Sequence, residues 1–269
     1  MSGLGDPGSA RALRLIAPLA VGLIFLTIWQ GVVWYDEIPP YILPGPLLVM
    51  ETLWTDGPSL LGSLWVTLRI TAAAFVTASV LGGAIAVLFA QSRVFEVSFF
   101  PYAVALQVTP VVAIAPLIII WVRDDTFLAL LICAWIVAFF PVVANTTLGL
   151  NSADRNLAAL FRLYGASRWQ TLRYLRLPTA LPLFLAGMRI SGGLALVGSV
   201  VAEFVAETGG TETGLASRIL EAGYRLQIPR QMAALVLLSF TGIAVFFLLE
   251  RLSRWLLSHW HESALPGDE

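Results

Sequence analysis

Long apolar runs separated by shorter polar segments make up most of this chain. Each run has about 20 residues or more, which is enough for a helix to cross the roughly 30 Å of hydrocarbon in a bilayer. The runs occupy residues 15–33, 70–90, 99–122, 127–150, 183–206 and 232–252. We therefore predict an all-α membrane protein with six transmembrane helices. Pro110 and Pro116 in the third run, and Pro141 in the fourth, are expected to kink or locally unwind their helices.

The polar segment 154–182 separates the fourth apolar run from the fifth. Asp154 can accept hydrogen bonds from the first amides of a helix. The next apolar residues recur at helical spacing and share one face: Leu157, Leu160, Phe161 and Tyr164. Gly165 suits the left-handed position that ends a helix. The pattern predicts a short amphipathic helix followed by a sharp turn.

A second short helix is predicted at 168–177. Ser167 can cap its start, and Pro178 is expected to end it, because proline lacks the amide proton. Arginines border its apolar residues, which suits a protein groove with an acidic edge. The residues that carry this pattern are Trp169, Leu172, Leu175, Arg168, Arg173 and Arg176, with Arg155 and Arg162 in the first helix. An amphipathic loop resting on lipid headgroups is the alternative. A DNA-reading helix–turn–helix is disfavoured, because both ends are tethered at the membrane.

Composition and charge support a membrane protein and predict its orientation. The chain is 58% hydrophobic and 12% charged, and a typical soluble domain carries about twice that charge. Arginines are more frequent on the side of the membrane that holds both termini, which predicts that this side is cytoplasmic. We expect a multi-pass inner (plasma) membrane protein with both termini in the cytoplasm. Its predicted parts are an N-terminal segment 1–14, a single transmembrane domain 15–257 and a tail 258–269.

Two motifs in the polar segment resemble a known family. Residues 159–165 have the sequence ALFRLYG, and nine residues later residues 175–178 have the sequence LRLP. This arrangement resembles the EAA loop in permease subunits of ATP-binding-cassette (ABC) importers. Gly165, Leu177 and Pro178 match that loop in register.

The resemblance covers most of residues 60–261. Further motifs are similar to the nitrate, sulfonate, taurine and thiamine-precursor branch of these permeases: 109–121, 139–141, 145–149, 180–182, 202–204, 214–215 and 260–261. The sequence departs from the family at Ala159, where the loop of other members has a glutamate. That departure concerns the details of ATPase docking rather than membership of the family.

The resemblance implies the type I ABC importer permease fold and a division of tasks among subunits. The segment 154–178 would be a coupling helix that docks on a separate, dimeric ATPase subunit. The coupling residues it implies are Leu157, Leu160, Phe161, Tyr164, Gly165, Ala166, Arg168, Leu177 and Pro178. Two permease chains, expected to be a homodimer, would form the pathway. A periplasmic or lipid-anchored binding protein would deliver a small polar solute, either an anion or a heterocyclic vitamin precursor.

The sequence predicts no ATPase, catalytic or metal site in this chain. A P-loop ATPase site needs a lysine, and the sequence contains none, so ATP hydrolysis is expected on another polypeptide. His259 and His261 stand in the tail, and Cys133 is isolated in an apolar run. We therefore expect no enzyme activity and no catalytic, cofactor-binding or metal site. Membrane lipid is an expected partner, and nucleic acid is not.

Four polar residues within the apolar runs are candidates for the solute pathway or an outer gate. Glu203 lies near the end of the fifth run, and Ser199 lies one turn before it on a face of small residues. Gln107 and Thr109 flank the predicted kink at Pro110. Helix packing is the simpler explanation of the first pair. For the second pair, satisfaction of backbone groups freed by the proline is an equal alternative. Both interpretations of each pair stay open.

Two other classes of protein are weighed against a permease subunit. A stand-alone secondary transporter or channel is the main alternative, but it would need ionisable groups near the centre of the membrane, and we find none that is convincingly central. A membrane-embedded enzyme would need a nucleophile with a base or a metal-ligand cluster inside the spans, which the sequence does not offer.

Overall fold

The computed structural model describes residues 7–122, 124–206 and 213–257. All regular elements in these ranges are helices, so the all-α prediction is confirmed. The helices are α1 (Pro7–Tyr35), α2 (Pro46–Thr55), α3 (Gly57–Gln91), α4 (Arg93–Val108), α5 (Val111–Trp121), α6 (Thr126–Asn151), α7 (Arg155–Leu163), α8 (Arg168–Thr171), α9 (Leu177–Ala206), α10 (Leu215–Tyr224) and α11 (Ile228–Leu257), with a π-helical turn at Leu172–Arg176 between α8 and α9. The predicted tail 258–269 and the first six residues of the predicted segment 1–14 lie outside the described residues.

The third predicted span is broken into two helices. Five helices are long and apolar enough to cross a membrane, and there are six spans if α4 and α5, which meet at a bend of 99°, count as one. The break falls at Pro110, and the preceding Thr109 is extended, with ψ at 122°. A proline disfavours the helical conformation of the residue before it, which explains the position. The predicted disruption at Pro110 is confirmed, whereas α6 continues past Pro141 without a break.

The helix α3 begins well before the apolar run that predicts it. It has 35 residues and starts at Gly57, although the run begins only at residue 70. Leu60, Ser63 and Thr67 lie on one face of this extension and are all buried. A hydropathy pattern detects only continuous apolar stretches. The first part of α3 instead buries one face that includes the polar residues Ser63 and Thr67.

The backbones of α6 and α9 approach each other closely at three glycines. A methyl group on Gly198 would lie 2.8 Å from the Ala134 Cα, and one on Gly149 would lie 2.9 Å from the Ala180 Cα. Gly187 makes a third such approach, to the Pro141 carbonyl oxygen. Membrane helices associate largely through van der Waals packing, and small residues let their backbones come this close.

The chain divides into two packing units. The first takes its described residues from Met1–Leu60 and Ile219–Val236. In it, Gln30 accepts a hydrogen bond from the Leu47 amide at 3.4 Å, and Arg230 forms an ion pair with Asp56 at 3.3 Å. The second unit, Leu61–Arg218 with Leu237–Glu269, contains α6, α7, α8 and α9. The assignment of 15–257 to one domain stays a prediction.

Replacing Gly198 by alanine is expected to loosen the α6–α9 pair. The added methyl group would meet the Ala134 backbone at 2.8 Å, which cannot move as a side chain does. Overpacking of this kind costs about 1–3 kcal/mol, so the melting temperature in detergent should fall. Gly193→Ala is the matched control, because Gly193 lies on the same helix with no atom near its Cβ position. Equal melting temperatures for the two variants would contradict the packing argument.

Candidate functional site

The helix α7 and the turn that ends it form as the sequence predicts. Asp154 accepts hydrogen bonds from the amides of Asn156 at 2.7 Å and Leu157 at 3.0 Å. Gly165 has φ of +70°, and its amide donates to the Arg162 carbonyl at 3.0 Å. The next amide, that of Ala166, reaches back to the Phe161 carbonyl at 2.9 Å. This pair of bonds is the Schellman motif, which requires a left-handed residue where Gly165 stands.

The apolar face of α7 is not covered by the rest of the chain. None of its residues is buried. Leu157 is 48% exposed, Leu160 is 44% exposed and Tyr164, which follows the helix, is 81% exposed, whereas Phe161 is partly buried. A cluster of exposed apolar side chains on a polar helix is typical of a surface that a partner covers.

The second helix of the segment differs from the prediction. Ser167 and Gln170 form a capping box, so the predicted start is confirmed. The helix α8 ends at Thr171, however, and a π-helical turn at Leu172–Arg176 leads directly into α9. The prediction that Pro178 ends a helix is wrong, because Pro178 is the second residue of α9. Proline has no amide proton to donate, and Pro178 directly follows the π-helical turn, where the Leu177 amide donates to the Leu172 carbonyl.

The π-helical turn fixes the segment to the membrane helices. Leu172 and Leu175 are 2% and 7% exposed, and Leu172 packs in a cluster with residues of α3, α6 and α9, namely Ala86, Leu150 and Ala180. Arg176 donates to the Ala90 carbonyl at 2.7 Å. The prediction that Leu172 and Leu175 belong to a docking face is therefore wrong, because both pack within their own chain. Of the three apolar residues predicted for that face, only Trp169 is exposed.

The remaining predicted coupling residues flank this anchor. Ala166 is half-buried beside the turn, and Arg168 is exposed at the start of α8. Leu177 and Pro178, the first two residues of α9, are also exposed. Residues 164–176 join the exposed α7 face to the start of α9, and they contain the turn at Gly165, α8 and the π-helical turn.

Glu203 and Ser199 belong to a buried polar cluster at the opposite end of α9. Both are fully buried. The Glu203 Oε2 accepts a hydrogen bond from the Ala216 amide at 2.9 Å, and the Glu203 carbonyl accepts one from the Ser217 hydroxyl at 3.2 Å. The Ser199 hydroxyl lies 2.8 Å from that of Thr71. Glu203 therefore caps the first turn of α10, and Ser199 ties α9 to α3.

Sequence reasoning missed the part of this cluster that lies on α3. The Thr67 hydroxyl accepts a hydrogen bond from the Leu215 amide at 2.8 Å, so it caps α10 together with Glu203. Gly214 packs so closely that a side chain there would overlap the Glu203 carboxyl group. The available signal was the spacing of Ser63, Thr67 and Thr71, which places three hydroxyls on one helix face.

Gln107 and Thr109 lie at the break between α4 and α5, and both are exposed. The Thr109 hydroxyl donates to the Ala105 carbonyl at 2.7 Å. The Ala105 carbonyl also accepts the Thr109 amide at 3.1 Å, so this bond does not replace one lost at Pro110, and both interpretations of Thr109 stay open. The structure thus brings Ser199 and Glu203 into one buried cluster and leaves Gln107 and Thr109 on the surface.

Comparison with known proteins identifies the family. The chain belongs to the binding-protein-dependent transport system inner membrane component family, whose model matches residues 78–260. The riboflavin transport system permease protein RibX of Chloroflexus aurantiacus is 34% identical over 94% of this chain and 95% of its own length. The formylaminopyrimidine transport permease protein ThiX of Halalkalibacterium halodurans is 30% identical over 92% of this chain and 97% of its own.

A solved structure supports the fold. A chain of the inward-facing MetNI methionine ABC transporter aligns with a TM-score of 0.62 at 20% identity, covering 72% of this chain and 94% of that chain. Together with the family match, this confirms the resemblance drawn from the sequence motifs. The protein is a transmembrane permease subunit of an ABC importer in the inner membrane, with the fold of that class.

Glu203→Ala is expected to remove the side-chain cap from the first turn of α10 and so to destabilise that turn. The Ala216 amide would lose its buried acceptor, at a cost of about 1–3 kcal/mol. Hydrogen–deuterium exchange should therefore become faster in the peptide that begins at Gly214. Glu203→Gln keeps a side-chain oxygen and is expected to retain most of the protection. If exchange in Glu203→Ala matched the wild type, the capping role would be refuted.

Proposed function

We propose that this chain, paired with a second copy, forms the pathway of an ATP-driven importer. ATP hydrolysis occurs on a separate ATPase subunit, which docks on the segment 154–178. The observation that carries the proposal is the exposed apolar face of α7 beside the turn at Gly165. A helix-in-groove contact uses such a face, with side chains at intervals of three and four residues as anchors.

The proposed coupling passes through α9. The π-helical turn leads into α9 without an intervening loop, so a displacement of α7 acts on the start of this helix. A helix of 30 residues is about 45 Å long, which is enough to cross the bilayer. Glu203 near its far end caps the first turn of α10. Movement at the ATPase contact would thus reach the opposite membrane face through one helix.

This coupling assigns indirect roles to the buried polar residues. Glu203 and Ser199 are enclosed by their own chain, so we propose that they position α10 and α3 rather than touch the solute. Gln107 and Thr109 remain the candidates for the pathway, because they are exposed beside the break at Pro110. In this arrangement the gate and the solute-contacting surface are separate parts of the chain.

The proposed solute is small and polar, either an anion or a heterocyclic vitamin precursor. Support comes from relatives that align over nearly their whole length and whose names refer to riboflavin, formylaminopyrimidine and taurine. We propose that a binding protein on the outer face delivers the solute and that both termini of the permease lie in the cytoplasm. The arginine-rich segment 154–182 would then face the ATPase.

Gly165→Val is expected to uncouple transport from ATP hydrolysis or to release the ATPase. A β-branched residue resists φ of +70° and is strained there by about 1–3 kcal/mol, enough to weaken docking roughly tenfold. Nothing lies within 4 Å of a Cβ at this position, so the effect comes from the backbone alone. Solute uptake and ATP hydrolysis should be measured together in proteoliposomes that contain both subunits.

Gly165→Asn is the control for this prediction. Asparagine adopts the left-handed conformation more readily than valine, so this variant should keep most of the uptake. Normal uptake by the valine variant would show that the turn does not transmit the ATPase motion.

A further inference from the structure

A cavity of about 600 Å³ lies beside α7, on a different face from the exposed apolar residues. Its walls include Arg162, Arg168 and Arg176 together with Ala90 and Gln91. Arg162 and the neighbouring lining residue Ala158 lie roughly 100–150° around α7 from Leu157. The cavity therefore lies away from the exposed apolar face of α7, although Ala166 and Arg168 of the predicted coupling residues also line it.

The cavity is positively charged and has no acidic residue in its lining. Arg176 is held in place by its hydrogen bond to the Ala90 carbonyl. Within the described ranges, neither Arg162 nor Arg168 forms an ion pair. Asp154 is the one acidic residue of the segment 154–178, and it accepts hydrogen bonds from the first amides of α7 instead. The arginines thus converge on a space that their own chain does not neutralise.

The cavity lies where the membrane helices end. Ala90 and Gln91 are the last residues of α3, which is long and apolar enough to span the bilayer. Leu172, another lining residue, packs against Leu150 and Ala180, near the adjacent ends of α6 and α9. Helices that cross a bilayer end near its headgroups, so the cavity is expected at the depth of the headgroup phosphates.

We propose that this cavity binds the phosphate group of an anionic phospholipid. Basic pockets between membrane helices at headgroup depth are suited to such lipids, and the planar guanidinium group of arginine matches phosphate oxygens in pairs. Arg162 and Arg168 supply the unpaired guanidinium groups, and Arg176 forms the wall towards α3. The volume falls in the range of small-molecule sites, about 300–1,000 Å³, and exceeds what one acidic side chain from a protein partner would fill. A bound lipid would brace α7 against the end of α3.

The test measures lipid retention by the purified transporter. The complex is incorporated into nanodiscs with equal amounts of phosphatidylcholine and phosphatidylglycerol, and retained lipids are identified by native mass spectrometry after release. The wild type should retain phosphatidylglycerol preferentially. Arg162→Gln should lower that preference by about fivefold, and Arg162→Gln with Arg168→Gln should abolish it.

Arg173→Gln is the matched control. It removes the same charge from the same segment, but Arg173 lies over the Tyr174 ring and does not line the cavity. This variant should retain phosphatidylglycerol as the wild type does. Melting temperatures in phosphatidylcholine alone check that all variants are folded.

Three results would overturn the proposal. An unchanged phosphatidylglycerol preference in the double variant would exclude the cavity as the lipid-binding site. An equal loss of preference in Arg173→Gln would indicate that general surface charge, not the cavity, attracts the lipid. Displacement of the lipid by an equal concentration of inorganic phosphate would assign the site to a soluble anion. The proposal does not depend on the ATPase contact: lipid retention requires no ATP hydrolysis, so failure of coupling in Gly165→Val would leave this test unaffected.

Discussion

The close approach of α6 and α9 is the constraint on which the rest of the structure depends. Their backbones meet where Gly149, Gly187 and Gly198 leave no room for a side chain. This contact fixes α9, which carries the π-helical anchor of the coupling segment at one end and Glu203 at the other. Small residues at a membrane helix interface thus determine where two distant polar features lie.

Local chemistry made the segment 154–182 largely predictable from sequence. Asp154 and Ser167 cap their helices and Gly165 adopts a positive φ, as their residue types require. The same holds for the break at Pro110, since proline restricts the residue before it. Each of these features depends on the backbone within a few residues, so one sequence contains the necessary information.

Tertiary contacts explain what the sequence did not reveal. The start of α3 at Gly57 depends on burial of Ser63 and Thr67 against the rest of the chain. Pro178 does not end a helix, because helical structure continues from α8 through the π-helical turn into α9. Burial of Leu172 and Leu175 favours that turn over a loop. The pairing of Thr67 with Leu215 joins residues far apart in the chain. Hydropathy and spacing along one element carry no information about such partners.

The central claim is that the exposed face of α7 docks on a separate ATPase. Its most direct test places a photo-crosslinking amino acid at Tyr164, which is 81% exposed, in cells that express the native transporter. The same group at Leu172, which is 2% exposed, is the internal control. We predict that Tyr164 forms an adduct with a P-loop ATPase, identified by mass spectrometry, and that Leu172 does not. Adducts at Tyr164 with lipid or with the same chain alone would contradict the account.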